Sequence, residues 1–534
     1  MSYALTILGG IGVFLLGMKL LSDNLRDAAG DALRVMLARF TEGKFSSVAT
    51  GTIFTALVQS SSATTLASIG FVSAGLLTFS QAVGVIFGAN LGTTATSWLV
   101  ALVGFKININ AFALPMVGIG ALSNLLLKGR RAHLGAALAG FGLIFVGIDI
   151  LQVGMADLAD GIDLSGISAA GIGGRLILVV IGIVMTVLMQ SSSAAIAATL
   201  TALHAGAIDL PQAAALVIGQ AVGTTITAAM AAIGASLAAK RTAAAHIAFN
   251  VITAILALVL LMPLFLMAHG AWTAADHTIA DATAIAIFHT FFKVAGVAVL
   301  LPMLEPFTRL IYRLVPGTEA RYAAGLDRAA ASIPAVAIEA AQNANREIFH
   351  GILAHIMTGL HKPNELAAHG VDVDAMRTGL VRCKEFLDHV RTDPEQKVDH
   401  ARHLNVLHAL DHIERLHRGL DVPGERFQLL KEHPELARAR EVLGEVLATA
   451  SRVEGDSSVA DALKTFSDEL ASVRRRRRHL LLEAAAFGTY PPTELERLLR
   501  TLLWCDRLVF HIWRAGYYLE GGAFDHGVEP EEPG

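Results

Sequence analysis

One pattern of thirteen residues occurs twice in this chain. Positions 51–63 read GTIFTALVQSSSA and positions 182–194 read GIVMTVLMQSSSA, so that Gln59 and Gln190 lie 131 residues apart. Two further blocks recur at nearly the same spacing: Gly92-Thr93-Thr94 with Gly223-Thr224-Thr225, and GVFLLGMKLL from position 12 with GLIFVGIDIL from position 142. Three blocks at almost one offset indicate an internal duplication, so the fold must accommodate two copies of one unit.

The composition places both copies in a membrane. The chain is 54% hydrophobic and 16% charged, with a mean hydropathy of +0.55, which is too apolar for a soluble enzyme of 534 residues. Charged residues are sparse up to about Leu304 and dense from Arg309 onward, which predicts a membrane part followed by a soluble part. The net charge of −4 argues against a nucleic-acid partner, because nucleic-acid binders present strongly basic surfaces.

Apolar stretches of about 20 residues predict the membrane crossings. Seven stretches qualify: Ala4–Leu21, Gln81–Val103, Ala111–Leu127, Leu134–Val153, Pro211–Leu237, Thr242–Met267 and Ala282–Leu304. Two more, Phe45–Leu77 and Arg175–Leu203, are each interrupted by Gln-Ser-Ser-Ser, which is costly in lipid unless it faces protein or water. We expect these two to be re-entrant hairpins. The first crossing lacks the basic start and cleavage site of a signal peptide, so we expect it to be retained.

The number of crossings sets the orientation of the two copies. Three crossings separate their starts, so the second copy is predicted to be inverted relative to the first. The positive-inside rule supports this, because the basic loop residues fall on one predicted side. These are Arg26, Arg34, Arg39, Lys44, Lys128, Arg130, Arg131, Lys240 and Arg241, with Lys106 as an exception on the other side. The N-terminus is then outside and the charged C-terminal part is cytoplasmic.

These patterns predict an all-α, polytopic membrane protein with two inverted repeats, each with a re-entrant hairpin, plus a cytoplasmic helical bundle. The predicted domains are residues 1–133 for the first repeat, 134–315 for the second repeat and the final transmembrane helix, and 316–534 for the bundle. Cys383 and Cys505 lie in the charged part without CxxC spacing, which predicts buried free thiols in a reducing compartment rather than a disulfide or a zinc site.

Two polar turns that meet inside a membrane from opposite sides can form a binding site. Half-helix N-termini point peptide N–H groups and the positive end of the helix dipole at an anion. Serine hydroxyls donate to phosphate or sulfate, while hydroxyl and carbonyl oxygens are hard ligands that suit sodium. In the Gly-Thr-Thr segments, glycine permits a helix break and threonine refills the freed backbone partners. Physical chemistry alone therefore gives a small oxyanion with a hard cation.

Two other interpretations of the serines are weaker. Small residues and serines line helix contacts in membranes merely to permit close packing, but packing does not require a glutamine at the same place twice. A nucleophilic serine is also disfavoured, since no histidine or carboxylate accompanies the serines and no Gly-x-Ser-x-Gly elbow surrounds them. The sequence therefore does not predict an enzyme.

The motifs resemble the repeated signature of the type II sodium/phosphate cotransporter family: Gln59-Ser-Ser-Ser-Ala-Thr-Thr65, Gly88-Ala-Asn-Leu-Gly-Thr-Thr94 and Gln190-Ser-Ser-Ser-Ala194. The resemblance covers roughly residues 1–305. It implies a multi-pass protein of the cell inner membrane that carries inorganic phosphate with sodium as the co-transported ion. By matching position, it implies that phosphate and sodium are bound by Gln59, Ser60, Ser61, Ser62, Gln190, Ser191, Ser192 and Ser193, supported by Asn90, Thr93, Thr94, Thr224 and Thr225.

The second copy departs from the family pattern, which leaves the number of sodium sites open. Ala221 stands where the first copy has Asn90, and Ala195-Ile196 replace Thr64-Thr65. Later, Ala245-His246-Ile-Ala-Phe-Asn250 resembles a family pattern that Phe288-His289-Thr-Phe-Phe-Lys293 repeats with lysine in place of asparagine. Histidine and lysine inside a membrane are functional candidates. The two histidines fit a structural role somewhat better, and the lysine fits a functional role, snorkelling or pairing equally well.

The charged C-terminal part has apolar residues at helical spacing, which predicts an antiparallel bundle. Examples are Val406, Leu407, Leu410, Ile413 and Leu416, and Leu495, Leu498, Leu499, Leu502 and Leu503. Segments near Asp411 and Asp506 resemble the paired helices of PhoU-type domains, which regulate phosphate uptake. Glu414 is followed at i+4 by Arg418, so we do not expect a metal site. The run Arg474–Arg478 fits either a solvated helix face or a contact with anionic lipid.

Two functions remain after these observations. The first is a secondary transporter in which the sodium gradient drives phosphate by alternating access around the two hairpins. The second is a phosphate-responsive membrane signalling protein without transport, which Ala221 and Lys293 would favour. The expected partners are phosphate, sodium and the lipid bilayer, and the sequence leaves a homo-oligomer open.

Overall fold

A computed structural model describes the chain except for residues 1, 30–40, 42, 74–75, 105–109, 162–168, 170, 234, 276, 278, 318–321, 324–325, 327–330, 332–333, 364–372, 393, 395–396, 421–424, 454–456 and 523–534. The loop residues Arg34, Arg39 and Lys106 lie outside the described residues. The chain divides into two compact units, with the boundary between Gly317 and Thr318. In the described part, the regular structure is helical and contains no strand. The all-α prediction is confirmed.

The first unit consists of fifteen described helices. They are α1 (Ser2–Ala29), α2 (Lys44–Val58), α3 (Ser61–Ser73), α4 (Phe79–Gly92), α5 (Thr94–Trp98), α6 (Asn110–Leu126), α7 (Arg130–Gly161), α8 (Ile172–Met189), α9 (Ser192–His204), α10 (Leu210–Gly223), α11 (Thr225–Ala231), α12 (Leu237–Leu256), α13 (Met262–Ala274), α14 (Asp281–Leu300) and α15 (Leu304–Leu314). Short π-helical segments, Leu99–Gly104 and Ala257–Leu261, continue α5 and α12.

Seven helices or joined helices of the described part are long and apolar enough to cross a membrane, which confirms a polytopic membrane protein. Six of them coincide with predicted crossings, but the seventh differs. The seventh is the helix Ile172–Met189, a stretch that the sequence predicts to be half of a re-entrant hairpin. The predicted crossing Ala111–Leu127 forms the shorter helix α6. At 1.5 Å per residue, both helices are slightly shorter than the ~30 Å hydrocarbon core. The length of the apolar stretch therefore does not tell which of the two crosses the membrane.

The helix boundaries recur with the spacing of the sequence repeat. Helix α3 begins at Ser61 and α9 begins at Ser192, 131 positions later. Helices α4 and α10 end at Gly92 and Gly223, which are also 131 positions apart. In both copies the chain breaks after this glycine and resumes as a short helix at the second threonine of Gly-Thr-Thr. The duplicated motifs thus occupy equivalent helix ends.

Glycines bring two helices of each copy into backbone contact. A Cβ on Gly88 of α4 would lie 2.0 Å from the Val48 carbonyl oxygen of α2, and one on Gly51 of α2 would lie 2.1 Å from the Val85 oxygen. The pairing 48 with 88 and 51 with 85 makes α2 and α4 antiparallel. Gly219 and Gly182 give the same reciprocal contact between α10 and α8, at 2.0 and 2.2 Å. Such close approach is typical of membrane helices, where small residues let backbones touch.

The second unit is a set of amphipathic helices around an aliphatic core. Its described α-helices are α16 (Pro334–His361), α17 (Val373–Leu387), α18 (Lys397–Arg418), α19 (Glu425–Glu432), α20 (Ala437–Ala450), α21 (Ser457–Ala486) and α22 (Pro492–Leu519). The predicted stripes bury Leu410, Ile413 and Leu416 on α18 and Leu498 and Leu502 on α22. Leu407 is an exception, being 40% exposed.

The basic run Arg474–Arg478 lies on α21. Arg474 pairs with the buried Asp506 of α22 through Nε and Oδ2 at 2.7 Å, and Arg477 pairs with Glu435. At least two of the five arginines therefore hold the bundle together. In the described residues, no group of three metal-ligating side chains comes close enough to hold a metal ion.

Both cysteines are buried free thiols, as predicted. Burial raises the pKa of the Cys383 thiol to about 12 and raises the pKa of Cys505 further. Because the thiolate is the reactive form, this raised pKa lowers the reactivity of Cys383 at neutral pH. We expect maleimide to label neither cysteine measurably in folded protein within an hour, and both after denaturation. Rapid labelling of folded protein would contradict the buried placement.

Candidate functional site

Each Gln-Ser-Ser-Ser motif forms a turn between two helices, and we call Gln59–Ser62 the first polar turn and Gln190–Ser193 the second. Gln59 and Gln190 adopt left-handed backbone conformations, with φ of 55° and 51°. A side chain in this region costs roughly 1–2 kcal/mol, so glycine would be the default residue. Each glutamine Nε2 donates to a carbonyl three residues back, Ala56 at 2.6 Å and Val187 at 2.7 Å. The amide oxygens are thereby directed away from their own helices.

The serines begin the second helix of each turn. Ser60 and Ser191 accept the N–H groups of Ala63 and Ala194, both at 3.2 Å, and so act as helix N-caps. No hydrogen-bond partner for the hydroxyls of Ser61, Ser62 and Ser192 occurs in the described part of the chain. Free hydroxyls in the first helical turn, beside unpaired backbone N–H groups, are suited to receive an anion. The first turn therefore has two free hydroxyls, those of Ser61 and Ser62, and the second has one, that of Ser192.

Thr96 of α5 connects the two turns. Its hydroxyl donates to the Gln59 amide oxygen at 3.0 Å and lies 3.2 Å from the Ser193 hydroxyl. Thr96 and Ser193 are buried, so this link is shielded from solvent. The structure thus brings Gln59 of the first turn and Ser193 of the second to one place. Gln190 is exposed, and the link does not include it.

The four threonines of the Gly-Thr-Thr segments form hydrogen bonds to the backbone where the helices break. Each hydroxyl donates to the carbonyl three residues back: Thr93 to Asn90 at 2.6 Å, Thr94 to Leu91 at 2.8 Å, Thr224 to Ala221 at 2.7 Å and Thr225 to Val222 at 2.8 Å. Their protons are therefore used within the protein. What remains for a ligand is the oxygen lone pairs, which suit a cation rather than an anion.

The intramembrane histidines and lysine join the same region. His246 lies 3.2 Å from the Thr65 hydroxyl and 3.5 Å from that of Thr224, and so contacts both copies. His289 lies 2.7 Å from the Ser97 hydroxyl. Lys293 donates to the side-chain oxygens of Asn90 at 3.0 Å and Asn250 at 2.8 Å. Asn90 is thus buried and hydrogen-bonded to Lys293.

Sequence reasoning missed Thr96, Ser97 and Gln220. Thr96 follows Gly92-Thr-Thr at the position that Thr227 holds after Gly223-Thr-Thr, 131 residues later, so the repeat contained a signal for it. Gln220 donates to the Ala195 carbonyl at 3.0 Å and to Thr199 at 2.7 Å, tying α10 to α9. Its counterpart in the first copy is Ala89, so nothing in the repeat pointed to it.

Replacing Gln190 by glycine separates the role of its side chain from that of its backbone. Glycine adopts the left-handed conformation without strain, so we expect Gln190→Gly to keep or raise the melting temperature while phosphate uptake falls at least several-fold. Uptake in proteoliposomes and thermal unfolding in detergent measure the two effects. Gly206→Ala is a matched control, because Gly206 has φ of 75° with open space around it and should lose stability instead. A lower melting temperature with normal uptake for Gln190→Gly would make the glutamine structural.

Several known proteins are similar to this chain in sequence. The family model described as Na+/Pi-cotransporter matches the chain in two successive segments, residues 13–153 and 154–287. "Uncharacterized protein YqeW" of Bacillus subtilis (strain 168) is 34% identical over 310 residues, which are 57% of this chain and 95% of that protein. "Putative inorganic phosphate export protein YjbB" of Escherichia coli (strain K12) is 27% identical over 365 residues, 67% of this chain and 65% of that protein.

The protein of the same name from Salmonella typhimurium (strain LT2) is 26% identical over 494 residues, 89% of this chain and 87% of that protein. No solved structure matches the chain significantly. The family model covers more than half of the chain, and its name describes transporters rather than enzymes. With its span-length helices and duplicated polar turns, this chain belongs to the Na+/Pi-cotransporter family.

Proposed function

We propose that this protein is a sodium-coupled symporter for inorganic phosphate in which both polar turns bind one phosphate ion. Family membership and the phosphate-export name of its relatives support phosphate transport. The link Gln59–Thr96–Ser193 carries the finer proposal, because it joins the two turns into one polar region. The hydroxyls of Ser61, Ser62 and Ser192 have no protein partner in the described part and provide donors for the anion.

Sodium enters the proposal through the acceptors of the same region. The threonine hydroxyls of the Gly-Thr-Thr segments donate hydrogen bonds to carbonyls, which leaves oxygen lone pairs on Thr93, Thr94 and Thr225 for a ligand, while Thr224 also contacts His246. Oxygen lone pairs are what a hard cation requires. A cation bound beside the turns also offsets the charge of phosphate in a region of low dielectric. Binding of one ion then favours binding of the other, which is the basis of coupling.

The duplication supports alternating access. Two inverted copies that meet at a central site can exchange their conformations, which opens the site to one side and then to the other. We assign residues 1–133 and 134–315 to these copies, and the two successive family matches support a duplication in this region. The exposed Gln190 and the buried Thr96–Ser193 link make the two turns unequal in this structure, as expected for one of the two conformations.

We further propose an inner-membrane location with the N-terminus outside and residues 316–534 in the cytoplasm as a PhoU-like bundle. The basic residues Lys44, Arg130, Arg131, Lys240 and Arg241 on one predicted side support this orientation.

Flux into proteoliposomes tests the function. Purified protein is reconstituted, and labelled phosphate uptake is followed with an inward sodium gradient, with equal sodium on both sides, and with potassium in place of sodium. The proposal predicts accumulation above equilibrium only with the gradient. Equal uptake in all three would refute sodium coupling. The absence of phosphate flux in either direction from folded protein would refute transport and favour a signalling role.

The direction of transport follows from the gradients. Relatives are named as putative phosphate export proteins, and a symporter runs outward when internal phosphate outweighs the sodium gradient. Vesicles loaded with labelled phosphate should therefore release it faster when sodium is present inside. Release that is independent of sodium would favour an exporter of a different kind.

A further inference from the structure

Lys293 of α14 is buried among amide oxygens and aromatic rings. Its side chain is 2% exposed and its ammonium donates to Asn250 Oδ1 at 2.8 Å and Asn90 Oδ1 at 3.0 Å. The rings of Phe292 and Phe249 lie 5.5 and 5.9 Å from the nitrogen. Amide oxygens and ring faces are all electron-rich, so the pocket as a whole is built for a cation.

A carboxylate partner is missing from this pocket. Among the described residues of the first unit, no aspartate or glutamate is buried, and no ion pair includes Lys293. An ammonium held only by neutral groups in a low-dielectric environment costs free energy, and such residues inside membranes serve transport more often than stability. The nearby His246 and His289 contact the hydroxyls of Thr65 and Ser97, and because an imidazole is either neutral or cationic, neither supplies a negative charge.

The sequence pattern indicates that Lys293 stands in the place of an asparagine. Helix α12 carries His246 and Asn250, and α14 carries His289 and Lys293 with the same spacing of four residues. An asparagine at 293 would add a third amide oxygen to those of Asn90 and Asn250. Neutral amide oxygens are hard ligands of the kind that suit a hard cation such as sodium.

We propose that the Lys293 ammonium is a tethered cation, which occupies a site that would otherwise take one sodium ion. The protein's own chain then supplies one of the positive charges that accompany phosphate. The consequence for transport rests on the proposed symport: one sodium ion fewer moves with each phosphate. The occupancy of the cation site itself is independent of transport.

Direct binding of phosphate by Lys293 fits the contacts less well. Two of its three N–H groups are used by asparagine oxygens, and the side chain is almost fully enclosed. The free serine hydroxyls belong to other helices, α3 and α9, and no hydrogen bond within the described residues connects Lys293 to either polar turn. A phosphate ligand would need an N–H group open to the site.

Equilibrium binding of labelled sodium to the full-length protein in detergent tests this assignment. We expect Lys293→Asn to bind one more sodium ion per chain than the wild type. Lys293→Met is the matched control, because it removes the charge without adding an oxygen and should gain no sodium. Lys293→Asn with Asn250→Ala should lose the added ion. Lys293→Gln provides a second oxygen-bearing variant should Lys293→Asn fail to fold.

The outcomes separate this inference from the proposed function. An unchanged sodium count in folded Lys293→Asn and Lys293→Gln overturns the tethered cation. Phosphate binding lost in Lys293→Asn and Lys293→Met alike, with no sodium gained, makes the lysine a phosphate ligand and also overturns it. If neither wild type nor variant moves phosphate in proteoliposomes, the transport proposal fails while the sodium count still decides the role of Lys293.

Discussion

Alanine at Gly88 or Gly219 is expected to prevent the membrane unit from packing. In each case the added methyl carbon would lie 2.0 Å from a carbonyl oxygen of the facing helix, that of Val48 or Val179. The obstacle is backbone, so no side chain can rotate away and two helices must separate. Overpacking of this severity costs at least about 3 kcal/mol, and the polar turns at the ends of these helices would shift with them. Monodisperse yield from membranes and thermal unfolding in detergent measure the loss.

Gly118→Ala is the control for this prediction. Gly118 lies in the apolar helix α6, and a Cβ there would meet no atom within 4 Å. We expect its yield and melting temperature to match those of the wild type, and alanine favours helix slightly over glycine. Wild-type stability of Gly88→Ala would contradict the close approach of α2 and α4.

Removing one free hydroxyl from each polar turn is expected to lower phosphate uptake strongly without unfolding the protein. Hydrogen bonds to a charged group contribute about 1.5–3 kcal/mol each, so Ser61→Ala with Ser192→Ala should lower the uptake rate at low phosphate by at least about 100-fold. Stability should stay near that of the wild type, because neither hydroxyl has a partner in the described chain.

Initial rates in proteoliposomes and melting temperatures test the serine prediction together. Ser123→Ala is the matched control, since Ser123 lies on α6, outside both turns. The control should transport at the wild-type rate. Wild-type uptake by the double variant would place the phosphate elsewhere, and a large loss of stability would make these serines structural.

Much of the membrane unit was predictable because its breaks are encoded locally. Gln-Ser-Ser-Ser and Gly-Thr-Thr interrupt apolar runs at fixed spacing, and the helices end at those residues in both copies. Local chemistry also fixed the role of the threonines, which bond to carbonyls three residues back. Length was a poorer guide, since α6 and α8 are both close to the minimum for a crossing.

The contacts between distant segments were not predictable from the sequence. Thr96 meets Ser193 across 97 positions and Lys293 meets Asn90 across 203, and no periodicity relates such pairs. The sequence marked Lys293 as unusual but not what it binds. In the bundle, the apolar stripes located the core, while exposed Leu407 shows that spacing does not decide which residues at the edge of a stripe are covered.

In the proposed transporter, the two polar turns share one phosphate ion. Equilibrium binding of labelled phosphate to purified protein in saturating sodium tests this directly, using wild type, Ser61→Ala and Ser192→Ala. We predict one phosphate per wild-type chain and strongly weakened binding of that same ion in either single variant. Two phosphates per chain, with one retained at full affinity in each variant, would contradict a shared site.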